Sequence, residues 1–344
     1  MVKYTFKRLG LAIVTATIIL SLTFILVKML RIEMPAFSKE GQKFAYFEDQ
    51  TRLGYFYRFS SPQEGLGDVI DQGLANEGYY YYKVPVLVQY KNWVKNIVTK
   101  WDWGTSLKIK TNVSVGVIIG ERLWKSMRVN IFSVLLSVPL GIALGIWAAL
   151  KKNTLTDHII STLVMIFIAI PSFVMISFIM KIFCYDLGWL PSKWPSVTDT
   201  LGRKIAGYIV PVFCLSFGSI CGYCRYIRAE LCEVMESEYL LLARTKGLTR
   251  RQAIVRHALK NAMVPIFPSI LAEFISIFGG SMILEHIYGI AGIGDLFVKA
   301  LNSKDYNVLF VDMAIFTTAS LIAGVFLDLS YGFIDPRIRM GARK

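Results

Sequence analysis

The stretch 236–265, ESEYLLLARTKGLTRRQAIVRHALKNAMVP, carries the residue types of a recognition surface. Glu238, Tyr239, Ala243, Arg244, Lys246, Gly247, Leu248, Arg250 and Arg251 crowd into its first half, and they suit gripping by another protein. Ser237 can cap a helix, with Glu238 well placed at its positive end. That helix would run to Lys246, where Gly247 supplies the left-handed residue that ends it. Thr249 then caps a second helix, and Gln252 three residues later completes a capping box. Nine helical residues span roughly 13.5 Å and are marginal in water, so the segment needs a docking surface. Arg250 and Arg251 sit at the start of the second helix, where the macrodipole disfavours cations. Their presence there points to an external anion, either acidic groups on a partner or anionic lipid heads.

Other residues could do different chemistry. Cys221-Gly-Tyr-Cys224 has the spacing of redox and zinc sites, but no second CxxC and no nearby histidine accompany it. The five cysteines lie in or beside apolar runs, where Cys packs as a small hydrophobe. His158, His257 and His286 have no HExxH spacing, and neither a GxSxG elbow nor a GxxxxGK[ST] phosphate loop occurs. Gly289-Ile-Ala-Gly292-Ile-Gly294 has the wrong spacing for a dinucleotide fingerprint. No catalytic residue, metal site or cofactor is therefore expected in this chain.

The elements that must hold the segment are membrane spans. Of 344 residues, 54% are hydrophobic, too many for an ordinary soluble domain. The runs 10–27, 129–150, 159–180 and 205–224 contain no Asp, Glu, Lys or Arg. The run 262–284 contains only Glu273, and 308–331 contains Asp312 and Asp328. Each is close to the ~20 residues that cross a bilayer as a helix, so six spans are expected. Glu273 lies deepest, where a charge costs ~2.5–3.5 kcal/mol on insertion scales. It reads equally as a group facing a pathway or partner helix and as a hydrogen-bonded packing residue.

The net charge of +14 does not mark a nucleic-acid binder. Lys and Arg concentrate in 1–9, 151–158, 225–261 and 332–344, a positive-inside bias that puts both termini in the cytoplasm. Lys3–Arg8 before an apolar run resembles a signal peptide, but no A-x-A cleavage pattern follows, and a retained first span is expected. The segment 30–128 is too interrupted for a span and too aromatic for disorder, which suggests a small cap outside the membrane. Within it, 86–100 has Leu87, Tyr90, Val94 and Ile97 at helical spacing, as in an amphipathic helix at the membrane surface. Pro139, Pro171, Pro211, Pro265 and Pro268 are expected to interrupt their spans, and Gly141-x-x-x-Gly145 to allow close helix contact.

Glu238-Tyr239, Ala243-Arg244-Thr245-Lys246-Gly247-Leu248 and Arg256-His257-Ala258-Leu259-Lys260-Asn261-Ala262 together resemble the cytoplasmic loop of bacterial ABC-importer permeases of the peptide branch. Trp103-Gly-Thr-Ser106, the approach and second span within 115–152, Leu187-Gly-Trp-Leu-Pro191, the region 283–294 with Asp305-Tyr306, and Asp335-Pro336-Arg337-Ile338-Arg339 extend the likeness. Two positions depart from it. Leu241 and Leu242 stand where the family motif has Glu and Ala, and Glu33-Met-Pro-Ala36 replaces a Pro-Gly-Asp-Pro.

The resemblance implies an all-α polytopic fold of the type I importer permease class, with six transmembrane helices and an extracytoplasmic cap after the first. Residues 1–29 would form the first span, 30–128 the cap, 129–335 the five-span core with a coupling loop at 225–261, and 336–344 a cytoplasmic tail. The chain would be a non-catalytic subunit in the bacterial inner membrane, forming half of an oligopeptide pathway. Its partners would be a homologous second permease, two cytoplasmic ATPase subunits that bind ATP and Mg, an extracytoplasmic peptide-binding protein, peptide and membrane lipid, with no nucleic acid. The short helix before Gly247 would be the coupling helix. Dipeptide or nickel permeases of the same family, and from another class a stand-alone channel or secondary transporter, are the alternative readings.

Overall fold

A computed structural model describes residues 2–29 and 40–334. The 33–36 and 335–339 motifs and the 336–344 tail lie outside the described residues. Helix α1 (Val2–Met29) is the first apolar run. A small mixed region follows: α2 (Glu40–Arg52), strand β1 (Phe56–Phe59), the short α3 (Gln72–Asn76), strand β2 (Tyr80–Lys83) and α4 (Val86–Lys100). The two strands pair antiparallel, with Phe56 opposite Lys83 and Phe59 opposite Tyr80. Beyond them run α5 (Val115–Leu150), α6 (Leu155–Ile168), α7 (Ser172–Ile179) with a π-helical turn at Met180–Asp186, and α8 (Leu201–Met235). Then come α9 (Glu238–Thr245), α10 (Arg250–Ala253), a π-helical turn at Ile254–Ala258, α11 (Leu259–Met263), α12 (Phe267–Ser276), α13 (Met282–Tyr288), α14 (Ile293–Ser303) and α15 (Tyr306–Ile334).

Four of these, α1, α5, α8 and α15, are long and apolar enough to cross a bilayer. Two more candidate spans are bent pairs: α6 with Ser172–Asp186, bent by 101°, and Arg250–Met263 with α12, bent by 55°. Counting each pair as one span gives the expected six. The first bend sits at Pro171, as its fixed φ and missing N–H lead one to expect. Pro139 and Pro211 behave otherwise. Helix α5 continues for 36 residues through the first and α8 for 35 through the second. In a packed helix, neighbours and small local adjustments accommodate the backbone group that proline frees.

The chain forms two compact units. Among the described residues, the larger comprises 2–10, Leu123–Asp295 and 319–334. Its α5 and α8 touch backbone to backbone. A Cβ built on Gly141 would lie 2.7 Å from Cβ of Tyr223, and one on Gly145 would lie 2.7 Å from the carbonyl oxygen of Cys224. Both distances are below any real contact, so the expected small-residue motif operates here. Gly145→Leu should therefore lower the thermal midpoint of the purified protein, since overpacking costs typically ~1–3 kcal/mol. Gly222→Ala, where nothing lies within 4 Å of the added carbon, should leave it unchanged. Equal midpoints for the two variants would refute the close contact.

Cys221 and Cys224 are free, buried on α8, and packed with Val164, Leu144 and Phe217. The glycine-rich turn before α14 packs against a buried carboxylate: Glu285 accepts a hydrogen bond from the backbone N–H of Asp295 at 3.2 Å.

Among the described residues, the smaller unit comprises 11–29, 40–122 and Leu296–Thr318. Its core is aromatic: Phe24, Tyr46, Phe47, Tyr55, Phe56, Tyr81, Trp93 and Phe310. Helix α4 has the expected bounds but not the expected face. Gln89 and Trp93 are buried, Tyr90, Val94 and Ile97 pack at the margin, and Leu87 is 74% exposed. The large Trp93 indole, which lies outside that spacing, stacks on Phe24 at 4.9 Å and takes the central position in the core.

A second feature of this unit joins distant segments. Asp305, fully buried just before α15, accepts hydrogen bonds from Ser106 Oγ at 2.6 Å and from the backbone N–H groups of Leu107 (3.0 Å), Lys108 (2.9 Å) and Ile109 (3.1 Å). Asn307 Nδ2 donates to the Thr105 carbonyl at 2.9 Å. Gly104, at φ +90°, makes the turn that presents these donors.

Candidate coupling segment

The segment begins where α8 ends. Ser237 has the extended backbone of an N-cap, but its hydroxyl donates back to the Val234 carbonyl instead of accepting from α9. The same Val234 carbonyl accepts the Ser237 N–H at 3.1 Å, so the serine serves the helix that is ending with both groups. Glu238 stands in the first turn of α9, the favourable end for a carboxylate.

Eight residues later the helix closes as the glycine requires. Gly247 has φ +94°, its N–H donates to the Arg244 carbonyl at 3.0 Å, and the Leu248 N–H donates to Ala243 at 3.4 Å. These paired bonds are a Schellman motif, which needs a left-handed residue at the glycine position. Two residues on, the Gln252 N–H donates to Thr249 Oγ1 at 3.3 Å while the Thr249 N–H donates to Gln252 Oε1 at 3.0 Å. The capping box expected at this site is complete.

One face of this helix–turn–helix is seated on the larger unit. Leu240, Ala253, Ala258 and Ala262 are buried against Ala149 of α5 and Leu231 and Cys232 of α8. Small side chains let the segment's backbone approach the ends of both long helices. Lys152, just after α5, pairs with Glu236 just after α8, and the bond to that carboxylate raises the pKa of the exposed ammonium.

A stronger tie lies one loop away. Arg228 of α8 grips the fully buried Asp157 of α6 with Nε at 2.5 Å and Nη2 at 2.8 Å. The same carboxylate accepts the Asn153 N–H at 2.9 Å and the Ser161 hydroxyl at 3.3 Å. Such bidentate pairs combine charge with fixed geometry, so this one locks the 151–154 turn to α8. Neither residue stands out in the sequence, where Arg228 reads as one more topology charge. An Asp three residues past a potential cap, Thr154, was the only local signal.

The opposite face is open. Tyr239, Leu241 and Leu242 are exposed, as are Glu238, Arg244, Lys246, Arg250 and Arg251, while Ala243 and Leu248 are half-buried. A cleft of about 350 Å³ between the end of α8, α9 and α10 is lined by Ser237, Leu240, Leu241, Arg244 and Arg250. An apolar patch edged with guanidinium groups suits a protein surface that offers an apolar groove and carboxylates.

The structure thus gathers the nine coupling candidates into one segment. Glu273 stands elsewhere, half-buried on α12, where it accepts a hydrogen bond from Ser137 Oγ of α5 at 3.0 Å and faces the Tyr223 hydroxyl of α8. Among the described residues no group of three or more His, Cys, Asp or Glu side chains is arranged to hold a metal ion.

Comparison with known proteins converges on one description. A family profile described as the binding-protein-dependent transport system inner membrane component matches residues 141–340, which include the whole segment. The chain is 34% identical over 281 residues to the oligopeptide transport system permease protein OppB of Escherichia coli (strain K12), covering 81% of this chain and 89% of that protein. It is 28% identical over 341 residues to the dipeptide transport system permease protein DppB of Bacillus subtilis (strain 168), covering 99% of each. The OppB protein of Haemophilus influenzae is 29% identical over 340 residues, 98% of this chain and 100% of that one.

Proposed function

Because the chain belongs to the family of binding-protein-dependent transport system inner membrane components, we propose that it is the permease subunit of an ATP-driven peptide importer and that 236–265 is its coupling device. One observation carries this reading. The segment is rigidly closed by a Schellman turn and a capping box, seated on the ends of α5 and α8, and open on an apolar and basic face.

In this reading the open face docks on a cytoplasmic ATPase that binds ATP and Mg, and both termini lie on the same side. Tyr239, Leu241 and Leu242 supply apolar contact, and Arg244, Lys246, Arg250 and Arg251 meet carboxylates. Leu241 replaces a polar contact and Leu242 a small apolar one with burial worth ~1.5–3 kcal/mol for each leucine fully covered. Movement of the ATPase is then passed through Leu240 and Ala253 to α8 and α5. A homologous second permease completes the pathway, a second ATPase serves that subunit, and an extracytoplasmic binding protein delivers the peptide. The division into a first span (1–29), a cap (30–128), a five-span core (129–335) and a tail (336–344) belongs to the same proposal. Glu273, bonded to Ser137, acts at the interface of α12 with α5. Oligopeptides are the substrate class, in keeping with the 34% identical OppB relative.

The test is reconstitution in vesicles. Uptake of a labelled oligopeptide should require the ATPase subunits and ATP, with dipeptides taken up less well. Uptake by this chain without ATPase subunits would establish the channel or secondary-transporter reading instead. ATP-driven uptake confined to dipeptides would move the substrate to that relative's class.

A further inference from the structure

We propose that a cavity between α6 and α8 in the larger unit holds the phosphodiester of an anionic phospholipid, with an acyl chain leaving along Met165. The cavity is about 300 Å³, and its wall includes His158, Ser161, Thr162, Met165, Arg225 and Arg228. The inference depends on the protein lying in a bilayer, not on what it transports.

Three features support a lipid. The first is the order of chemistry along α6. Positions 158, 161, 162 and 165 fall on one face of the helix and run from imidazole and hydroxyls to a thioether within two turns. That is the order of a phospholipid read from headgroup to chain. The second is location. The cavity opens at the first turns of a candidate span whose other surface is exposed and apolar: Leu155, Ile159, Leu163 and Ile166. A molecule that reaches the cavity along this surface arrives through lipid.

The third is charge. Asp157 takes Nε and Nη2 of Arg228, which leaves the Nη1 protons for another acceptor. Arg225 lies one turn earlier on α8 and is exposed. Guanidinium groups match phosphate oxygens in geometry, and the Thr162 hydroxyl can donate beside them, while Ser161 Oγ donates to Asp157 at 3.3 Å. With Arg228 neutralised by Asp157, the remaining fixed charge is that of Arg225. A single positive charge suits a phosphodiester, which carries one negative charge, better than free phosphate, which carries nearly two.

The experiment is native mass spectrometry of the purified full-length protein after exchange into phosphatidylglycerol or phosphatidylcholine. The wild type should retain phosphatidylglycerol through a wash that strips phosphatidylcholine. Arg225→Gln should reduce retention roughly tenfold, the effect of losing one charge-assisted hydrogen bond. Thr162→Val keeps shape and charge and should reduce it roughly threefold, which preserves the test if Arg225→Gln fails to accumulate. Equal retention of the two lipids, or retention unchanged in Thr162→Val, would overturn the proposal. Displacement of the lipid by millimolar inorganic phosphate would reassign the cavity to a free anion and overturn it as well.

Discussion

Gly247→Asp is expected to leave the chain in the membrane and able to assemble, while substrate-stimulated ATP turnover by the complete transporter falls to its basal rate. The cause is conformational, because nothing lies within 4 Å of the carbon that the substitution adds. At φ +94°, any side chain pays for left-handed backbone, roughly 1–2 kcal/mol. The new carboxylate also faces the negative end of α9, which costs ~0.3–1 kcal/mol more. A total near ~2 kcal/mol changes a population roughly thirtyfold. That is decisive for an eight-residue helix that is marginal by itself. Gly247→Asn, which pays the same backbone cost but lacks the charge, should retain part of the coupling. The idea fails if Gly247→Asp assembles and its ATP turnover still responds to substrate.

Asp305→Ala should destabilise the smaller unit more than any surface change. The carboxylate is the shared acceptor for Ser106 Oγ and three consecutive backbone N–H groups. A buried donor left without an acceptor, as Ser106 would be, costs ~1–3 kcal/mol, and the three partly buried N–H groups add a smaller cost each. A loss of ~3 kcal/mol corresponds to a fall in thermal midpoint on the order of 10 °C for a unit of this size. Limited proteolysis should cut the 107–113 loop in the variant and spare it in the wild type. Asp305→Asn keeps one acceptor oxygen but turns an amide N–H₂ toward the donors, so an intermediate midpoint is expected. A proteolysis pattern and midpoint identical to wild type in Asp305→Ala would show that the bonds carry no net stability.

Much of the fold was legible because its signals are local. Apolar runs locate the spans, Pro171 locates a break, and Thr249 with Gln252 locates a cap, since each acts within a turn or two of its own position. The same locality explains the misses. Nothing near Ser106 names Asp305 as its partner 199 residues away, although each stands in a motif of its own. Asp157 and Arg228 pair across 71 residues and look like ordinary loop charges until the helices meet. Pro139 and Pro211 carry a strong breaking tendency that packing overrides. Ser237 has the residue type of a cap, but two helices compete for its hydroxyl and the ending one takes it. Leu87 fits the apolar spacing of α4, yet Trp93 decides which way that helix turns.

The glycine contact between α5 and α8 has a mechanical consequence. Side chains normally cushion one helix against another and absorb small displacements by changing rotamer. At Gly141 and Gly145 that cushion is absent, so a push on one helix is felt at once by the other. The crossing is a fulcrum. From Cys224 to the end of α8 at Met235 the helix extends about 16 Å at 1.5 Å per residue. A shift of the segment joined to that end tilts α8 about the crossing and carries α5 with it. The arm on the far side, toward Leu201, is about twice as long, so a small stroke at the segment is magnified at the other end of the helix.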